Sequence, residues 1–263
     1  MRLNIVYFHD PRYSFRHHRT CPEPTGTGKF TKSKCAQYRG ELDAKLDRGR
    51  FLLYTIVEMG KGKREIRHPI SCIVLAGGEG KRLGADKAFL RVGGRVLIEG
   101  IVEKMARIGD EVIIVTNSPQ RYDHLEARLV GDVYPGKGAL GGIYSGLRAA
   151  HSHHSLVVAC DMPFLDLRLL RYMILLSPGQ DVVIPRIGGL TEPLHAIYSK
   201  QCLQPIERVL ASGGRRIIEF FPEVRVRYIE EQEIKLFDPQ CLSFFNINTP
   251  ADLEKARSLA GKE

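Results

Sequence analysis

A glycine-rich loop with two cationic side chains is the segment whose residues could most clearly do chemistry. It lies in SCIVLAGGEGKRLGADKAFL, residues 71–90, and follows an apolar run typical of a strand. Gly77 and Gly78 let backbone amides approach an anion because no Cβ stands in the way. Arg82 and Lys87 add the positive charge that a triphosphate requires. The loop therefore predicts a site for a nucleoside triphosphate.

The spacing of this loop differs from two common phosphate loops. The dinucleotide fingerprint GxGxxG fails because, after Gly78 and Gly80, the next glycine comes only at Gly84, and the P-loop pattern GxxxxGK[ST] fails as well. What remains, LAGGxxxRxGxDK, resembles the signature of the nucleotidyltransferase superfamily. In that superfamily the loop wraps a triphosphate, and the arginine and lysine neutralise charge around the α-phosphate.

An acidic residue follows a later apolar run. Asp161, in VVACDMPFL, comes directly after a candidate strand, and Pro163 ends that strand. A carboxylate at a strand end is well placed to hold Mg²⁺ through oxygen. The alternative for Asp161 is to cap the next helix, but Asp166 lies closer to that helix and suits this role better. Asp161 is therefore our candidate metal ligand and catalytic residue.

A second loop, GDVYPGKGALGGIYSGL, offers residues that could contact a nucleoside. Asp132 could accept the N1–H and the exocyclic amine of guanine, a donor pair that adenine lacks; a surface acid in a salt bridge is the alternative. Asn117 ends the run EVIIVTN and could also touch the nucleoside. Asn117 follows a candidate strand, and we expect the loop of Asp132 to be a second loop at the same edge of the sheet as the glycine loop.

Four further residues are candidates for the acceptor side. Asn246 and Asn248 alternate in FFNINTPADL and would share one face of an extended segment, although a turn before the last helix is the simpler reading. Arg215 and Arg216 follow an SGG turn and could receive a phosphate. A solvated start of a helix explains these arginines at least as well.

The elements that must position these residues alternate between strands and helices. Five short apolar strands are predicted at 70–76, 111–116, 155–160, 181–186 and 193–198. Helices are predicted at 96–108, 119–129, 140–151, 165–176, 199–211 and 249–260. This order predicts an α/β fold: a three-layer, Rossmann-like sandwich with a mostly parallel sheet and helices on both faces.

Charge and composition divide the chain into two regions. Residues 1–69 carry 15 Lys+Arg against 7 Asp+Glu, whereas residues 70–263 carry 24 against 23. We predict a basic, disordered N-terminal extension over 1–69, in which Met59 is an alternative start, and one nucleotidyltransferase domain over 70–263. Because the basic excess lies outside the folded region, a nucleic-acid partner is not expected.

Two features of the sequence bear on location. There is no apolar run of about 18 residues, so no membrane span is predicted. The six cysteines are scattered singly, which is typical of reduced intracellular thiols. We therefore expect a cytoplasmic protein.

Six segments together resemble the MobA-type molybdenum cofactor guanylyltransferases. They are LAGGEGKRLGADK, GALGG, ACDMPFL, EPLHAIY, SGGRRIIEFF and NINTPADL. The resemblance implies that GTP is contacted by the following residues: Leu75, Ala76, Gly77, Lys87, Asn117, Asp132 and Asp161. It also implies Mg²⁺ on Asp161 and the acceptor's pterin near Asn246 and Asn248. One departure is that Ala85 alone separates Gly84 from Asp86, one residue fewer than in some relatives.

The resemblance implies the reaction and its partners. GMP would pass from GTP to the phosphate of molybdopterin, with other proteins of molybdenum cofactor biosynthesis as further partners. Two alternatives stay open from the sequence. Another nucleotidyltransferase would use CTP, UTP or GTP with a cobinamide, sugar or alcohol phosphate. A non-catalytic nucleotide-binding adaptor would be expected to have lost the cations or the acid that are present here.

Overall fold

The computed structural model describes residues 68–77 and 87–261. The predictions for the N-terminal extension, including Met59, and those for Gly78 and Arg82 lie outside these residues. Within them, no helix has both the length and the apolar composition needed to cross a membrane.

Strands and helices alternate along most of this region. The strands are β1 (Ile70–Leu75), β2 (Arg91–Val92), β3 (Arg95–Val96), β4 (Glu111–Val115), β5 (Arg128–Val130), β6 (His154–Ala159), β7 (Val182–Ile187), β8 (Leu190–Thr191), β9 (His195–Ser199) and β10 (Val226–Glu230). The α-helices are α1 (Leu97–Ala106), α2 (Ala139–Ala149), α3 (Leu167–Leu176), α4 (Leu203–Ala211), α5 (Glu231–Ile234) and α6 (Pro250–Ala260). Short 3₁₀ turns lie at Lys87–Phe89, Pro119–Arg121, Lys200–Cys202, Ile217–Glu223 and Leu242–Phe244.

The main sheet confirms the predicted α/β class. In the described residues it has eight strands in the order β10-β7-β9-β6-β1-β4-β5, with β8 paired to β7. β1 is parallel to both β4 and β6, whereas β9 runs antiparallel to its neighbours β6 and β7. The carboxyl ends of the parallel strands therefore meet at one edge, which we call the carboxyl edge.

Helices cover both faces of this sheet, as predicted. Alternate residues of β1 enter opposite cores: Cys72 and Val74 face one core, and Ile73 and Leu75 face the other. α1 and α3 contribute buried residues to the first core, and α2 and α4 to the second. Burial on both faces explains why β1 is apolar along nearly its whole length.

The helix predicted over 119–129 is wrong. The segment forms a single 3₁₀ turn at Pro119–Arg121 and ends in β5, which pairs in parallel with Ile113–Val115 of β4. Tyr122 is 1% exposed and belongs to the first core. Pairing with the sheet edge and burial of the tyrosine therefore override a local pattern that looked helical. The pairing of β5 with β4 joins residues that are distant in sequence, so the local periodicity of residues 119–129 could not predict it.

Close contact between α2 and β1 depends on a glycine. A Cβ added to Gly146 would lie 2.6 Å from Cγ2 of Ile73 and 2.9 Å from its Cδ1. We expect Gly146→Ala to destabilise the protein, because overpacking costs about 1–3 kcal/mol and the helix propensity of alanine returns at most ~1 kcal/mol. Urea unfolding would record this as a lower midpoint.

Gly100 in α1 provides the matched control. It is also a helical glycine, but a Cβ there would meet nothing within 4 Å. Gly100→Ala should therefore leave the midpoint unchanged or raise it by the equivalent of up to about 1 kcal/mol. Equal responses of the two variants would contradict the close-contact explanation.

Candidate active site

Three predicted residues meet at the carboxyl edge. Lys87 Nζ lies 2.9 Å from Asp161 Oδ2 and donates a hydrogen bond of 2.6 Å to Asn248 Oδ1. The ion pair is only partly accessible, since the side chain of Lys87 is 23% exposed and that of Asp161 is 16% exposed. An ammonium group has three N–H donors, and contacts with the described residues account for two of them.

Separate elements bring this cluster together. Lys87 opens the 3₁₀ turn that follows the glycine loop, and Asp161 follows β6, the strand next to β1. The amide of Cys160 donates to the carbonyl of Leu75, and the amide of Ile247 donates to the carbonyl of Asp161. The ends of β1 and β6 and the segment before α6 are thus tied to one another by backbone hydrogen bonds.

The start of α6 positions Asn248. Thr249 caps the helix and Pro250 begins it, and Asp252 completes a capping box. Asp252 Oδ2 also accepts the amide of Asn248 at 3.1 Å. Ile247 is buried while Asn248 is exposed, so the segment presents alternate side chains to the interior and to the site.

Asp161 is not needed as a helix cap. Asp166 caps α3 by accepting the amides of Arg168 and Leu169, as the sequence predicted. The carboxylate of Asp161 therefore remains at the carboxyl edge with Lys87 as its cationic partner.

The end of β1 brings main chain rather than side chains to this edge. Leu75 and Ala76 are each 8% exposed, and the amide of Ala76 donates to the carbonyl of Val115 in β4. Gly77 is exposed, and a Cβ there would meet nothing within 4 Å. A ligand at this point would therefore contact the backbone around Gly77.

Asn117 and Asp132 lie together beyond β4 and β5. Asn117 Oδ1 accepts the amide of Asp132 at 3.1 Å. Asp132 Oδ1 accepts the amide of Tyr134 at 2.9 Å and lies 3.0 Å from the hydroxyl of Ser145. Its Oδ2 accepts no hydrogen bond from the part of the chain that the structure describes, so one carboxylate oxygen holds the loop while the other is available.

Sequence reasoning missed two residues that support the site. Ser145 in α2 holds the loop of Asp132, because its hydroxyl also accepts the amide of Val133 at 2.8 Å. Asp252 holds the backbone of Asn248 by accepting its amide. The capping pattern TPAD is the signal that could have indicated this second role.

Three predicted acceptor residues are not joined to the cluster. Asn246 donates through Nδ2 to the carbonyl of Phe244, not to Lys87. Arg215 and Arg216 are exposed after α4, and their side chains form no ion pair with described residues. The end of α4 does reach the carboxyl edge, because Lys137 in the loop before α2 donates to the carbonyl of Leu210.

A buried histidine lies beside these segments but is not suited to proton transfer. His195 begins β9, is fully buried, and contacts the ring of Phe244 at a centroid distance of 4.6 Å. Burial lowers the pKa of His195 to about 4. Its imidazole is therefore neutral near pH 7 and adds no charge to the site.

Comparison with known proteins identifies the family. Residues 72–228 match the MobA-like NTP transferase domain. A probable molybdenum cofactor guanylyltransferase of Pelotomaculum thermopropionicum is 41% identical over 188 residues, which is 72% of this chain and 92% of that protein. The molybdenum cofactor guanylyltransferase of Desulfosudis oleivorans is 38% identical over 191 residues, 72% of this chain and 95% of that protein.

Comparison with solved structures supports the same family. Molybdopterin-guanine dinucleotide biosynthesis protein A from Archaeoglobus fulgidus superposes with a TM-score of 0.66 at 31% identity, over 73% of this chain and all of that chain. A 2-C-methyl-D-erythritol 4-phosphate cytidylyltransferase from Thermus thermophilus, at 20% identity and a TM-score of 0.57, shares the fold alone. The family match spans more than half of the chain and includes the end of β1, Lys87, Asp132 and Asp161. On this evidence the chain belongs to the MobA-like NTP transferases and is a nucleotidyltransferase.

Proposed function

We propose that this protein is a molybdenum cofactor guanylyltransferase, which transfers GMP from GTP to the terminal phosphate of molybdopterin, free or metal-bearing. The names of its relatives support this substrate pair. The observation that carries the proposal is the convergence of Lys87, Asp161 and Asn248 at the carboxyl edge. This edge is where open α/β sheets bind ligands.

GTP would lie over β1, β4 and β5. Its phosphates would follow the backbone around Gly77 and approach Lys87, with Arg82 of the glycine loop as a second cation. Its guanine would reach Asn117 and Asp132. Because Asp132 Oδ1 already holds the loop, we assign recognition of a guanine N–H donor to Oδ2. Adenine has an acceptor at N1 and no amine at C2, so it offers no donor at that position.

The oxygens around Lys87 fit a Mg²⁺ ion. Asp161 Oδ2 and Asn248 Oδ1 are hard oxygen donors that already converge on one cationic group, the ammonium of Lys87. Mg²⁺ is usually held by one or two carboxylates together with substrate phosphates. We therefore assign Mg²⁺ to Asp161, with Asn248 beside it. When bound, the ion would supply Lewis-acid charge at the phosphates.

The chemistry needs positioning and charge more than a proton carrier. An oxygen of the acceptor phosphate forms a bond to the α-phosphorus, the bond from that phosphorus to the bridging oxygen breaks, and pyrophosphate leaves with the electron pair. A phosphate monoester is mostly deprotonated at pH 7, since its second pKa is about 6. The third N–H of Lys87, which bonds to none of the described residues, would stabilise the charge that develops on the phosphoryl oxygens.

Arg215 and Arg216 are proposed to attract the acceptor. Both side chains are exposed and without an ion pair among the described residues, and the end of α4 lies at the carboxyl edge. Asn246 and Asn248 would contact the pterin side of the acceptor. Other proteins of molybdenum cofactor biosynthesis would deliver it.

The setting that we propose is the cytoplasm. In the described residues, Cys72, Cys202 and Cys241 form no disulfide. Burial raises the pKa of Cys72 and that of Cys202 to about 12, which keeps both protonated. Unpaired, unreactive thiols are typical of proteins in a reducing compartment.

The proposal is tested by supplying the substrates and analysing the product. Incubation with GTP, Mg²⁺ and molybdopterin should yield a guanine dinucleotide cofactor and pyrophosphate, detected by mass analysis. Calorimetry with the four Mg-NTPs should show GTP binding most tightly, because Asp132 favours guanine. Tighter binding of CTP or UTP, or no dinucleotide from active protein, would contradict the guanylyl assignment.

A further inference from the structure

We infer that Glu192 determines specificity for the acceptor, by accepting hydrogen bonds from the N–H groups at the amino-substituted edge of its pterin. This inference rests on the proposed function. Glu192 lies in the link between β8 and β9, in the segment EPLHAIY. None of the roles assigned above uses this residue.

Glu192 lies at the carboxyl edge of the sheet. Asp161 lies between Glu192 and the residues that we propose contact the nucleotide. Its amide donates to the carbonyl of Pro185 in β7, and the carbonyl of Leu194 accepts from Ala159 at the end of β6. In the order β10-β7-β9-β6-β1-β4-β5, Asp161 follows β6 and the proposed guanosine site lies over β1, β4 and β5. The space over β9 and β7 is left for the acceptor.

The span across these strands suits an extended acceptor. Neighbouring strands lie about 4.8 Å apart. A group above β9 or β7 is therefore roughly one or two strand spacings from a group above β6. A pterin whose phosphate reaches the α-phosphorus near Asp161 would extend in this direction and place its far edge at Glu192.

The carboxylate of Glu192 is half-buried and has no partner among the residues that the structure describes. No hydrogen bond or ion pair joins its side chain to the described residues, although the residue is only partly exposed. Burial alone raises its pKa, with no neighbouring cation to offset the desolvation. A desolvated carboxylate without a donor is costly, which is the state expected of a group that a ligand completes.

Neighbouring acids at this edge are already paired. Glu230 binds Arg186, whose guanidinium also lies 4.7 Å above the ring of Tyr228, and Glu231 binds Lys235. The free negative charge of Glu192 would repel the phosphate and dithiolene ends of molybdopterin. The carboxylate of Glu192 is instead complementary to the pterin edge at which a ring N–H and an amino group point in the same direction. We therefore assign the binding of this pterin edge to Glu192.

The test is Glu192→Gln in the full chain, compared with Glu231→Gln as the matched surface control. Steady-state kinetics with GTP and molybdopterin should give a KM for molybdopterin that rises about 10- to 100-fold in Glu192→Gln, the loss expected for hydrogen bonds to a charged group. The KM for GTP should stay within about twofold of wild type. Glu231→Gln should match wild type in both constants.

Thermal unfolding separates this role from a structural one. Since the side chain of Glu192 has no partner to lose within residues 68–77 and 87–261, Glu192→Gln should melt at the wild-type temperature or slightly above it. A lower melting temperature, or an equal loss for GTP and molybdopterin, would show a structural role and overturn the inference. So would an unchanged KM for molybdopterin.

Failure of this inference differs from failure of the proposed function. If wild-type protein makes no dinucleotide from GTP and molybdopterin, molybdopterin is not the acceptor. The proposed function and the role of Glu192 are then both contradicted. If wild type is active and Glu192→Gln behaves identically, only the role of Glu192 is overturned.

Discussion

Lys87→Ala is expected to lower kcat by about 10²- to 10³-fold, the range seen when a preorganised charge contact to a transition state is removed. Lys87 is the cation joined directly to both Asp161 and Asn248. Its loss removes the N–H assigned to the reacting phosphoryl group and also releases both partners. Pyrophosphate release with saturating GTP and molybdopterin measures the effect.

The matched control is Lys235→Ala. Lys235 also pairs with an acid, Glu231, but its side chain is 51% exposed, and such surface pairs contribute little. We expect turnover of this variant to equal wild type. Near-normal turnover of Lys87→Ala, with a folded protein verified by circular dichroism, would refute the assignment of Lys87 to the reaction.

Asp161→Asn is expected to lower turnover by about 10³-fold and to abolish its dependence on Mg²⁺ at millimolar concentrations. The change keeps the size of the side chain but removes the charge that holds a divalent cation. Since the carboxylate is 16% exposed and paired with Lys87, its neutral replacement also leaves the ammonium without a counter-ion. Turnover measured over a Mg²⁺ titration records both effects.

An exposed acid, Asp123, provides the comparison for this variant. Asp123→Asn removes the same charge outside the cluster and should follow the wild-type Mg²⁺ curve. If Asp161→Asn still responds to Mg²⁺ as wild type does, the metal is held by other ligands. That result would contradict the assignment of Mg²⁺ to Asp161 with Asn248 beside it.

The individual residues of the cluster were predictable because each follows a strong local pattern. Lys87 follows a glycine loop, Asp161 follows an apolar strand, and Asn248 precedes a clear helix cap. Their contact was not predictable from these patterns, since 74 residues separate Lys87 from Asp161 and 161 residues separate it from Asn248. The parallel arrangement of β1 and β6 is what brings them together.

Other features of the fold and of the site depend on contacts between residues distant in sequence, which short sequence patterns cannot predict. β5 forms because the edge of the sheet accepts it, although its sequence looks helical. Ser145 looks like any small residue on a helix, yet its hydroxyl contacts Asp132. The half-buried state of Glu192 follows from the packing of the β8–β9 link and is invisible in the sequence.

The reversed direction of β9 bears on how enzymes of this kind could diversify. A parallel strand is reached through a long crossover, usually a helix, whereas an antiparallel one follows a short connection. The chain passes from β7 to β9 through the small hairpin with β8, with no helix between them. If the acceptor binds over β9 and β7 as we propose, insertions or substitutions in that connection would remodel the acceptor half of the site while the helical layers and the proposed nucleotide half stay as they are. New acceptors could be acquired in evolution without rebuilding the machinery that activates the triphosphate.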